Sequence, residues 1–285
     1  MERVGIIGGS GLYKLEGIKR KREISLVTPF GKPSDKFILA EFQGREIIFL
    51  PRHGRGHKIS PSSINYRANI YGMKKLGVGW IISVSACGSL KEYIQPLDFV
   101  VPLQFVDRTN QARKYTFFDE GVVVHISFAH PVCESLAKKL KEGAKKVGVK
   151  LHYGGVYLNM EGPQFSTLAE SNLYRSWGMD IIGMTNMAEA RLAREAEICY
   201  ATLAAVTDYD CWHPSHDSVT AQMVIDNLFK NVENAKKILK EVVPLIEKER
   251  ECNCKQALKD AIVTPKEAIP PKKKLALKPI IGKYI

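Results

Sequence analysis

The sequence predicts an α/β fold, with one domain built on a largely parallel or mixed β-sheet. Two observations lead to this prediction. Short apolar runs of the kind that form buried strands alternate along the chain with longer segments of helical periodicity. The 285 residues contain no internal repeat, and a hydrophobic content of 45% is sufficient for one sizeable core.

The predicted strands are apolar runs, several of which end at Gly, Pro or a polar residue. In chain order they occupy residues 4–7, 36–42, 46–50, 80–84, 99–102, 122–124, 151–158, 180–183 and 200–207. The first strand leads directly into a glycine-rich loop. Gln43 and Gly44 separate the second strand from the third, which predicts a hairpin turn.

The predicted helices lie between these strands and near the C-terminal end. They occupy residues 62–76, 131–147, 166–177, 188–196 and 219–247. Gly77 follows the first helix and is a typical helix end. Beyond about Val263 the chain is rich in Pro and Lys, and we expect an extension that lies on the surface or on a neighbouring subunit.

The net charge of +12 makes nucleic acid a partner to consider. Residues 255–285 hold eight Lys against one Asp and one Glu, so half of the excess lies in the C-terminal part. The sequence has no RNA-binding aromatic signature or helix-turn-helix pattern, and a small anionic substrate is favoured.

No apolar run approaches the ~20 residues that span a bilayer. The first residues enter a strand without a signal-peptide pattern, so a cytoplasmic protein without a membrane partner is expected.

Residues 200–207 form an apolar run that is followed at once by Asp208 and Asp210. Alternation along a strand would point both carboxylates to one side, and α/β sheets bind ligands at this end of their strands. One acid could protonate the leaving group in glycosidic bond cleavage while the other orients it. A turn or a metal site is the alternative interpretation of this pair.

Two loops carry the residues of a candidate anion site. In Gly8-Gly9-Ser10-Gly11 the glycines let backbone amides approach an anion, and the Ser10 hydroxyl adds a donor. This loop lacks the Walker and Gly-x-Gly-x-x-Gly patterns, and a plain tight turn is the alternative. The loop at residues 51–57 offers the planar guanidinium of Arg52 with His53 beside it. Its alternative is a solvated basic loop.

Further candidates are weak when taken singly. Ser85 and the amide of Ala86 could complete the anion site. Phe165 offers an aromatic platform for a planar base, and residues 184–185 offer a thioether and a hydroxyl. Met184 and His125 are also candidate site residues, but each could instead be a structural residue without a role in binding.

Together and in this order, these segments resemble the 5′-methylthioadenosine phosphorylases, in the trimeric class of purine nucleoside phosphorylases. The resemblance covers about residues 3–262 and includes GIIGGSGL, TPFGKPSD, PRHGRGH, NYRANI, SACGSL, EGPQFS, GMTNMAEARLA and TDYDCW. It implies a single three-layer domain, residues 1–263, in which helices flank a central, mixed and twisted β-sheet. Residues 264–285 would be a basic, Pro/Lys-rich extension.

The resemblance also implies a set of site residues. Phosphate would be bound by Ser10, Arg52, His53, Ser85, Ala86 and Thr185. The nucleoside would be bound by Phe165, Ser166, Met184, Thr207, Asp208 and Asp210, with Met184 under the ribose and Asp208 facing N7 and the 6-amino group. The methylthio group would lie against Ala221, Val224 and Ile225, and His125 would reach this 5′ pocket from a neighbouring subunit.

The implied activity is the reversible phosphorolysis of S-methyl-5′-thioadenosine to adenine and 5-methylthioribose 1-phosphate, in purine and methionine salvage. Asp208 and Asp210 are the predicted catalytic residues, and the assembly would be a homotrimer or homohexamer. Phosphate is a co-substrate, and no metal or organic cofactor is expected. The alternatives are a phosphorylase for methylthioinosine, adenosine, inosine or guanosine, a nucleosidase that uses water, and a non-enzymatic nucleotide- or nucleic-acid-binding protein.

Six cysteines are present, and none forms a Cys-x-x-Cys zinc knuckle. Cys252 and Cys254 could close a strained disulfide, and the segment CNCKQALKDAIV resembles the cysteine-pair ending of archaeal members of the family. Cys133 and Cys199 match positions that can pair in such relatives. The resemblance therefore implies two candidate disulfides.

Overall fold

The computed structural model describes residues 2–9, 11–12, 17–110, 113–214 and 221–285, except for the side chains of residues 221 and 223. The strands are β1 (Arg3–Gly8), β2 (Lys19–Ile24), β3 (Phe37–Phe42), β4 (Arg45–Pro51), β5 (Val78–Ser89), β6 (Phe99–Val101), β7 (Gln104–Arg108), β8 (Leu151–Tyr153), β9 (Val156–Met160), β10 (Ile181–Gly183) and β11 (Cys199–Asp208). The helices are α1 (Tyr66–Lys75), α2 (Glu134–Val147), α3 (Leu168–Ser176), α4 (Asn186–Glu195), α5 (Ala221–Leu245) and α6 (Pro271–Ile281).

The strands form one mixed sheet around β5. Strands β4, β1, β5 and β11 lie side by side and are all parallel. The antiparallel pairs are β3 with β4, β2 with β3, β6 with β11, and the end of β5 with β10. Strands β9 and β7 continue from β10 in parallel, and β8 continues from β6. The predicted mixed sheet is confirmed.

Helices cover both faces of this sheet because its central strands alternate their side chains. In β1, Val4 and Ile6 enter a core that also contains residues of α2 and α5. Ile7 points the other way, into a core shared with α1, α4 and α6. This period of two is what a strand imposes on its side chains. The predicted three-layer α/β architecture is confirmed.

The C-terminal residues 264–285 lie against the rest of the same chain. In α6, Leu277 and Ile281 are buried in the core that contains α1. The Tyr71 hydroxyl donates a hydrogen bond to the Ala276 carbonyl at 2.8 Å, and Lys283 forms an ion pair with Glu197 at 2.6 Å. The lysine-rich sequence therefore forms a helix in which Leu277, Ile280 and Ile281 are buried against the rest of the chain, while Leu275 is 75% exposed.

Several predicted elements differ from the structure for local reasons. The strand predicted at 151–158 is divided into β8 and β9, since Gly154 and Gly155 both adopt positive φ angles. The strand predicted at 122–124 is absent, and only Val124 forms an isolated bridge, with Ile262. Helix α1 starts four residues later than predicted, where the Asn65 side chain accepts a hydrogen bond from the Ala68 amide.

Among the described residues, no helix is both long and apolar enough to cross a bilayer.

Candidate active site

A cavity of about 590 Å³ lies where β1, β4, β5, β10 and β11 end, beside the loop 160–165. This is the edge at which parallel α/β sheets bind ligands. Most of the residues predicted for the site line this cavity. They are Arg52, His53, Ser85, Ala86, Phe165, Met184, Thr185, Thr207, Asp208, Asp210 and Val224.

The remaining predicted residues lie elsewhere or outside the description. Ser10 and the side chain of Ala221 are outside the described residues. Ser166 is not among the residues that line the cavity, but its hydroxyl lies 3.8 Å from the sulfur of Met160, which does line it. Ile225 is 42% exposed on α5. His125 lines a second, separate cavity of the same chain.

Arg52 follows β4 and is held in a buried network. Its Nε donates to Glu189 Oε1 at 2.5 Å, its Nη2 to Ser83 Oγ at 2.6 Å and its Nη1 to the Val84 carbonyl at 2.9 Å. Nη2 also lies 3.3 Å from Glu189 Oε2. One Nη1 N–H thus remains without a partner among the described residues, and because Arg52 lines the cavity, this N–H is a candidate donor to an anion. Burial lowers the pKa of Arg52, but the charge of Glu189 outweighs burial and holds the guanidinium protonated.

Glu189 is a site residue that the sequence analysis missed. It lies on α4, is 2% exposed, and also accepts hydrogen bonds from Ser83 and Tyr200 at 2.7 and 3.0 Å. Asn186 on the same helix donates to Ser83 at 3.1 Å. In the sequence Glu189 resembles an ordinary helix-surface residue, and no local signal separates it from one.

His53 is neutral in this environment. Burial, followed by the charge of Arg52, lowers its pKa to about 4. Its Nδ1 lies 2.8 Å from the Ile59 carbonyl, and since a carbonyl only accepts, Nδ1 carries the proton. The other ring nitrogen is therefore an acceptor.

Two hydroxyl groups complete this part of the cavity. The Ser85 Oγ is buried and has no hydrogen-bond partner in the described part of the chain. A buried hydroxyl without a partner is costly unless a ligand satisfies it. Thr185 is 5% exposed and precedes α4. Together with Arg52 these groups, called the anion group below, can bind an anion with several oxygens.

Asp208 is the last residue of β11, and its carboxylate is fixed on both sides. Its Oδ2 accepts a hydrogen bond from the Thr207 hydroxyl at 2.7 Å, and its Oδ1 accepts one from the Asp210 amide at 2.8 Å. Asp210 adopts a φ of 51° in the turn that follows. Both carboxylates line the cavity, but Asp210 does so from the turn beyond β11, so strand alternation does not account for its direction.

The environment of Asp208 favours its protonated form. Burial raises the pKa of Asp208 to about 6, and the charge of Asp210 adds to this effect. The hydrogen bonds from Thr207 and the Asp210 amide act in the opposite direction. Burial also raises the pKa of Asp210. Asp208 and Asp210, called the carboxyl pair below, can therefore hold a transferable proton near neutral pH.

Gly88 on β5 leaves the space that the Asp208 carboxylate occupies. A Cβ atom at residue 88 would lie 2.7 Å from Asp208 Oδ1, a distance that the backbone and carboxylate could not accept without moving. Glycine is thus required here for a close approach between two neighbouring strands.

The sequence analysis also missed the residues that hold the cavity walls. Arg113 donates to the Glu161 carboxylate at 3.0 Å and to the carbonyls of Glu161 and Met184 at 2.5 Å, which ties the loop 160–165 to the end of β10. On α5, Asn227 and Asn231 donate to the carbonyls of Thr207 and Val206 at 2.7 and 2.9 Å.

One face of α5 supplies apolar cavity wall. Val224, Leu228, Val232 and Ala235 line the cavity at helical spacing. The prediction placed the wall at 221, 224 and 225. The spacing of three and four residues would have extended the predicted wall along the helix to 228 and 232.

Three strand spacings separate the anion group from the carboxyl pair. Arg52 follows β4, Asp208 ends β11, and strands β1 and β5 lie between them. Three strand spacings of about 4.8 Å put the two backbone segments ~14 Å apart. The cavity can therefore hold an anion and an elongated, partly apolar molecule side by side.

Comparison with known proteins identifies relatives over the whole chain. Residues 3–244 match the model of the phosphorylase superfamily. An S-methyl-5′-thioadenosine phosphorylase of Koribacter versatilis is 57% identical over 281 residues, which cover 99% of this chain and 96% of that protein.

Solved structures are similar as well. A methylthioadenosine phosphorylase from an antarctic soil metagenomic library superposes with a TM-score of 0.93 at 48% identity, covering 98% of both chains. A methylthioadenosine phosphorylase from Schistosoma mansoni in complex with adenine superposes with a TM-score of 0.83 at 38% identity, covering 91% of this chain and 96% of that one.

Proposed function

The chain belongs to the phosphorylase superfamily, and we propose that it catalyses the reversible phosphorolysis of S-methyl-5′-thioadenosine to adenine and 5-methylthioribose 1-phosphate. The observation that carries this proposal is the pairing, in one cavity, of a protonatable Asp208 with the anion group around Arg52. The relatives named for this activity match the chain from end to end.

The reaction requires an anionic nucleophile held below the sugar. An oxygen of phosphate attacks C1′ of the ribose, and the bond from C1′ to N9 of adenine breaks with its electron pair going to the base. The sugar passes through an oxocarbenium-like state, as in other glycosyl transfers. Arg52, Ser85 and Thr185 hold the phosphate, whose negative charge stabilises the developing cation.

Asp208 supplies the proton for the leaving base. Its pKa of about 6 keeps a fraction of the carboxyl protonated near neutral pH, and protonation of N7 neutralises the charge that adenine acquires when the bond breaks. Asp210 acts as a positioning residue through its amide, which fixes Oδ1 of Asp208. Phosphate, ribose and one carboxyl group account for the reaction, so the proposal includes no cofactor.

The same carboxyl group explains a preference for 6-amino purines. A protonated carboxyl offers one donor and one acceptor. Adenine presents the complementary pair, an acceptor at N7 and a donor at the 6-amino group. Hypoxanthine presents two acceptors at these positions, and one contact would then be lost.

The apolar face of α5 fits the methylthio group. Val224, Leu228 and Val232 line the cavity, and a thioether gains from burial where a hydroxyl would need a hydrogen-bond partner. Met184 packs closely on Gly162, since a Cβ there would lie 2.5 Å from its sulfur. We propose that Met184 forms the surface beneath the ribose, with Phe165 beside the base.

The test is base release from methylthioadenosine, adenosine, methylthioinosine and inosine, each with and without phosphate. We expect phosphate-dependent release of adenine, fastest from methylthioadenosine. Release without phosphate would indicate a nucleosidase, and faster release of hypoxanthine would contradict the role of Asp208. No release from any of the four would favour a binding protein instead.

We further propose that the enzyme is a homo-oligomer, a trimer or a dimer of trimers, in which His125 reaches the 5′ pocket of a neighbour. Two exposed apolar patches support this proposal. Val123 and Val263, 48% and 61% exposed, lie beside His125, and Ile225 and Phe229, 42% and 59% exposed, lie on α5 near the cavity. Sedimentation analysis of the wild type and of Phe229→Asp tests it, and a monomeric wild type would refute it.

We propose a cytoplasmic location. The six cysteines are free thiols in the structure, which suits a reducing compartment. The two candidate disulfides stay predictions, and mass spectrometry of the protein alkylated before and after reduction measures them directly.

A further inference from the structure

Four cysteine thiols converge at a place remote from the catalytic cavity. Cys133 is the residue before α2, Cys199 is the first residue of β11, and Cys252 and Cys254 belong to the 3-10 turn after α5. All four sulfur atoms lie within 4.8 Å of one another. Three separate segments of the chain thus meet at this cluster, called the thiol cluster below.

The spacing of the sulfur atoms fits one tetrahedral metal ion. Cys199 Sγ and Cys252 Sγ are 3.2 Å apart, and Cys133 Sγ and Cys252 Sγ are 3.8 Å apart. Four sulfurs at about 2.3 Å from a central Zn²⁺ would be ~3.8 Å from each other. An iron–sulfur cluster spreads its cysteines over several irons and requires wider spacing.

We propose that the thiol cluster binds a single Zn²⁺ as a structural site. Its ligand set contains only sulfur, which excludes the oxygen-seeking ions Mg²⁺ and Ca²⁺ and selects a soft or borderline metal. Binding deprotonates the four thiols, releases four protons and leaves a complex of net charge −2. Four protein ligands leave no open position, so the site holds structure and performs no catalysis.

The burial of the ligands agrees with a closed structural site. Cys133, Cys199 and Cys254 are 2%, 0% and 6% exposed. Cys252 is half-buried and borders a surface depression next to the cluster. The metal can therefore enter from this side.

The surroundings also favour a negatively charged complex. Cys133 is the N-cap residue of α2, and its side chain makes no capping hydrogen bond. The partial positive charge of a helix N-terminus stabilises a thiolate at this position. The depression is further lined by Lys138, Lys139 and Arg194. Lys138 is paired with Glu134 and Lys139 with Glu247, so Arg194 supplies the positive charge that these two ion pairs do not compensate.

Zinc and the two candidate disulfides are mutually exclusive, because they use the same four thiols. An oxidised cluster would hold Cys252–Cys254 and Cys133–Cys199 and could not bind metal. The experiment must therefore measure the metal and the thiols of the same sample.

The test uses the full chain without a histidine tag, purified under reducing conditions without chelator from a zinc-supplemented culture. We expect one zinc per chain by plasma mass spectrometry. After the zinc is removed, titration with Co²⁺ should give the intense visible bands of a tetrahedral tetrathiolate complex, with saturation at one equivalent. Thermal unfolding should shift to a lower temperature in the metal-free protein.

Variants locate the site. Cys252→Ser, at the half-buried ligand, should weaken Co²⁺ binding and alter the bands without loss of the fold. Cys211→Ser, at a cysteine outside the cluster, should leave metal content and spectrum unchanged. Substoichiometric zinc without a cobalt thiolate spectrum in the reduced wild type would overturn the proposal. So would two disulfides in protein kept reduced throughout purification, or unchanged binding by Cys252→Ser.

Discussion

The anion group and the carboxyl pair share one cavity but are built in opposite ways. Around Arg52, charge is compensated by Glu189, and nearly every donor has a partner before any ligand arrives. Around Asp208, burial raises a carboxyl pKa to about 6, with a second carboxylate two residues away. One region is a rigid cation whose charge is fixed, and the other is an acid whose charge changes with pH.

This difference follows from what each region must do in the proposed reaction. A phosphate-binding cation has to be charged and immobile, since reorganisation during the reaction would reduce its effect. A proton donor has to change its charge, and for that it needs a raised pKa and an environment that favours the neutral form. The two regions should therefore respond differently to mutation.

The largest effect is expected from Arg52→Met. Phosphate loses its buried cation, and Glu189 becomes an unpaired buried charge, which costs about 3–5 kcal/mol of folding stability. We expect kcat/KM for phosphate to fall at least ~1,000-fold, equal to about 4 kcal/mol. Steady-state kinetics and urea unfolding measure the two losses.

The double variant Arg52→Met with Glu189→Gln separates the loss of activity from the loss of folding stability. It should recover much of the stability without recovering activity, because the buried charge has been removed as well. Activity that returns together with stability would mean that Arg52 acts only as a structural residue.

Asp208→Asn tests the carboxyl pair and should lower activity by a similar or smaller factor than Arg52→Met. General acid catalysis contributes about 10²- to 10⁴-fold, so phosphorolysis of methylthioadenosine should fall within that range. The amide donates to a 6-oxo group, and inosine should be relatively spared. Rates for both nucleosides are compared at one pH, and equal losses on both would refute the role in base recognition.

The raised pKa of Asp208 also predicts how stability depends on pH. The folded-state pKa of about 6 lies above the ordinary value of 3.8, so the native state holds this proton more tightly than the unfolded chain. The stabilising contribution is complete below pH ~4 and is lost as pH rises through about 6, with a magnitude of ~2–3 kcal/mol. Denaturant unfolding between pH 4 and 8 measures it.

The variant Asp208→Asn tests whether this pH dependence of stability comes from the Asp208 carboxyl. The amide does not titrate, so the variant should lack this part of the pH dependence and should be more stable than the wild type at pH 8. Parallel stability curves for the two proteins across this range would contradict the raised pKa.

The smallest effect is expected from Ser85→Ala. Its hydroxyl is buried and has no partner among the described residues, so its removal should raise the folding stability of the ligand-free protein slightly, and should not lower it. The KM for phosphate should rise about tenfold, which corresponds to about 1.4 kcal/mol. Ser89→Ala is the matched control on the same strand, since its hydroxyl donates to the Lys91 carbonyl at 2.7 Å. That change should lower stability by ~1 kcal/mol and leave the KM unchanged.

The sequence predicts the layers of this fold well because the central strands are buried on both faces. Runs such as Tyr200–Thr207 are apolar throughout and end at polar residues, so both their type and their ends are visible. Strand β2 (Lys19–Ile24) was missed because it is an exposed edge with the sequence KRKREI. Helix α6 was missed because prolines and lysines conceal its few buried apolar residues.

The site was predictable where its residues belong to recognisable segments. Arg52, Ser85 and Asp208 all line the cavity as predicted. Glu189 and Arg113 were missed, since their roles depend on partners 137 and 48 residues away in the sequence. No local pattern contains such contacts, and they become visible only when the chain is folded.

The protonation state of His53 determines which form of an anion can form a hydrogen bond with its ring. With its one proton committed to the Ile59 carbonyl and a pKa of about 4, the ring can only accept from a ligand at neutral pH. An anion that still carries a hydroxyl can satisfy it, whereas sulfate is fully deprotonated and cannot. In the proposed reaction His53 would therefore favour hydrogen phosphate over sulfate, two tetrahedral oxyanions of nearly equal size that differ by one proton.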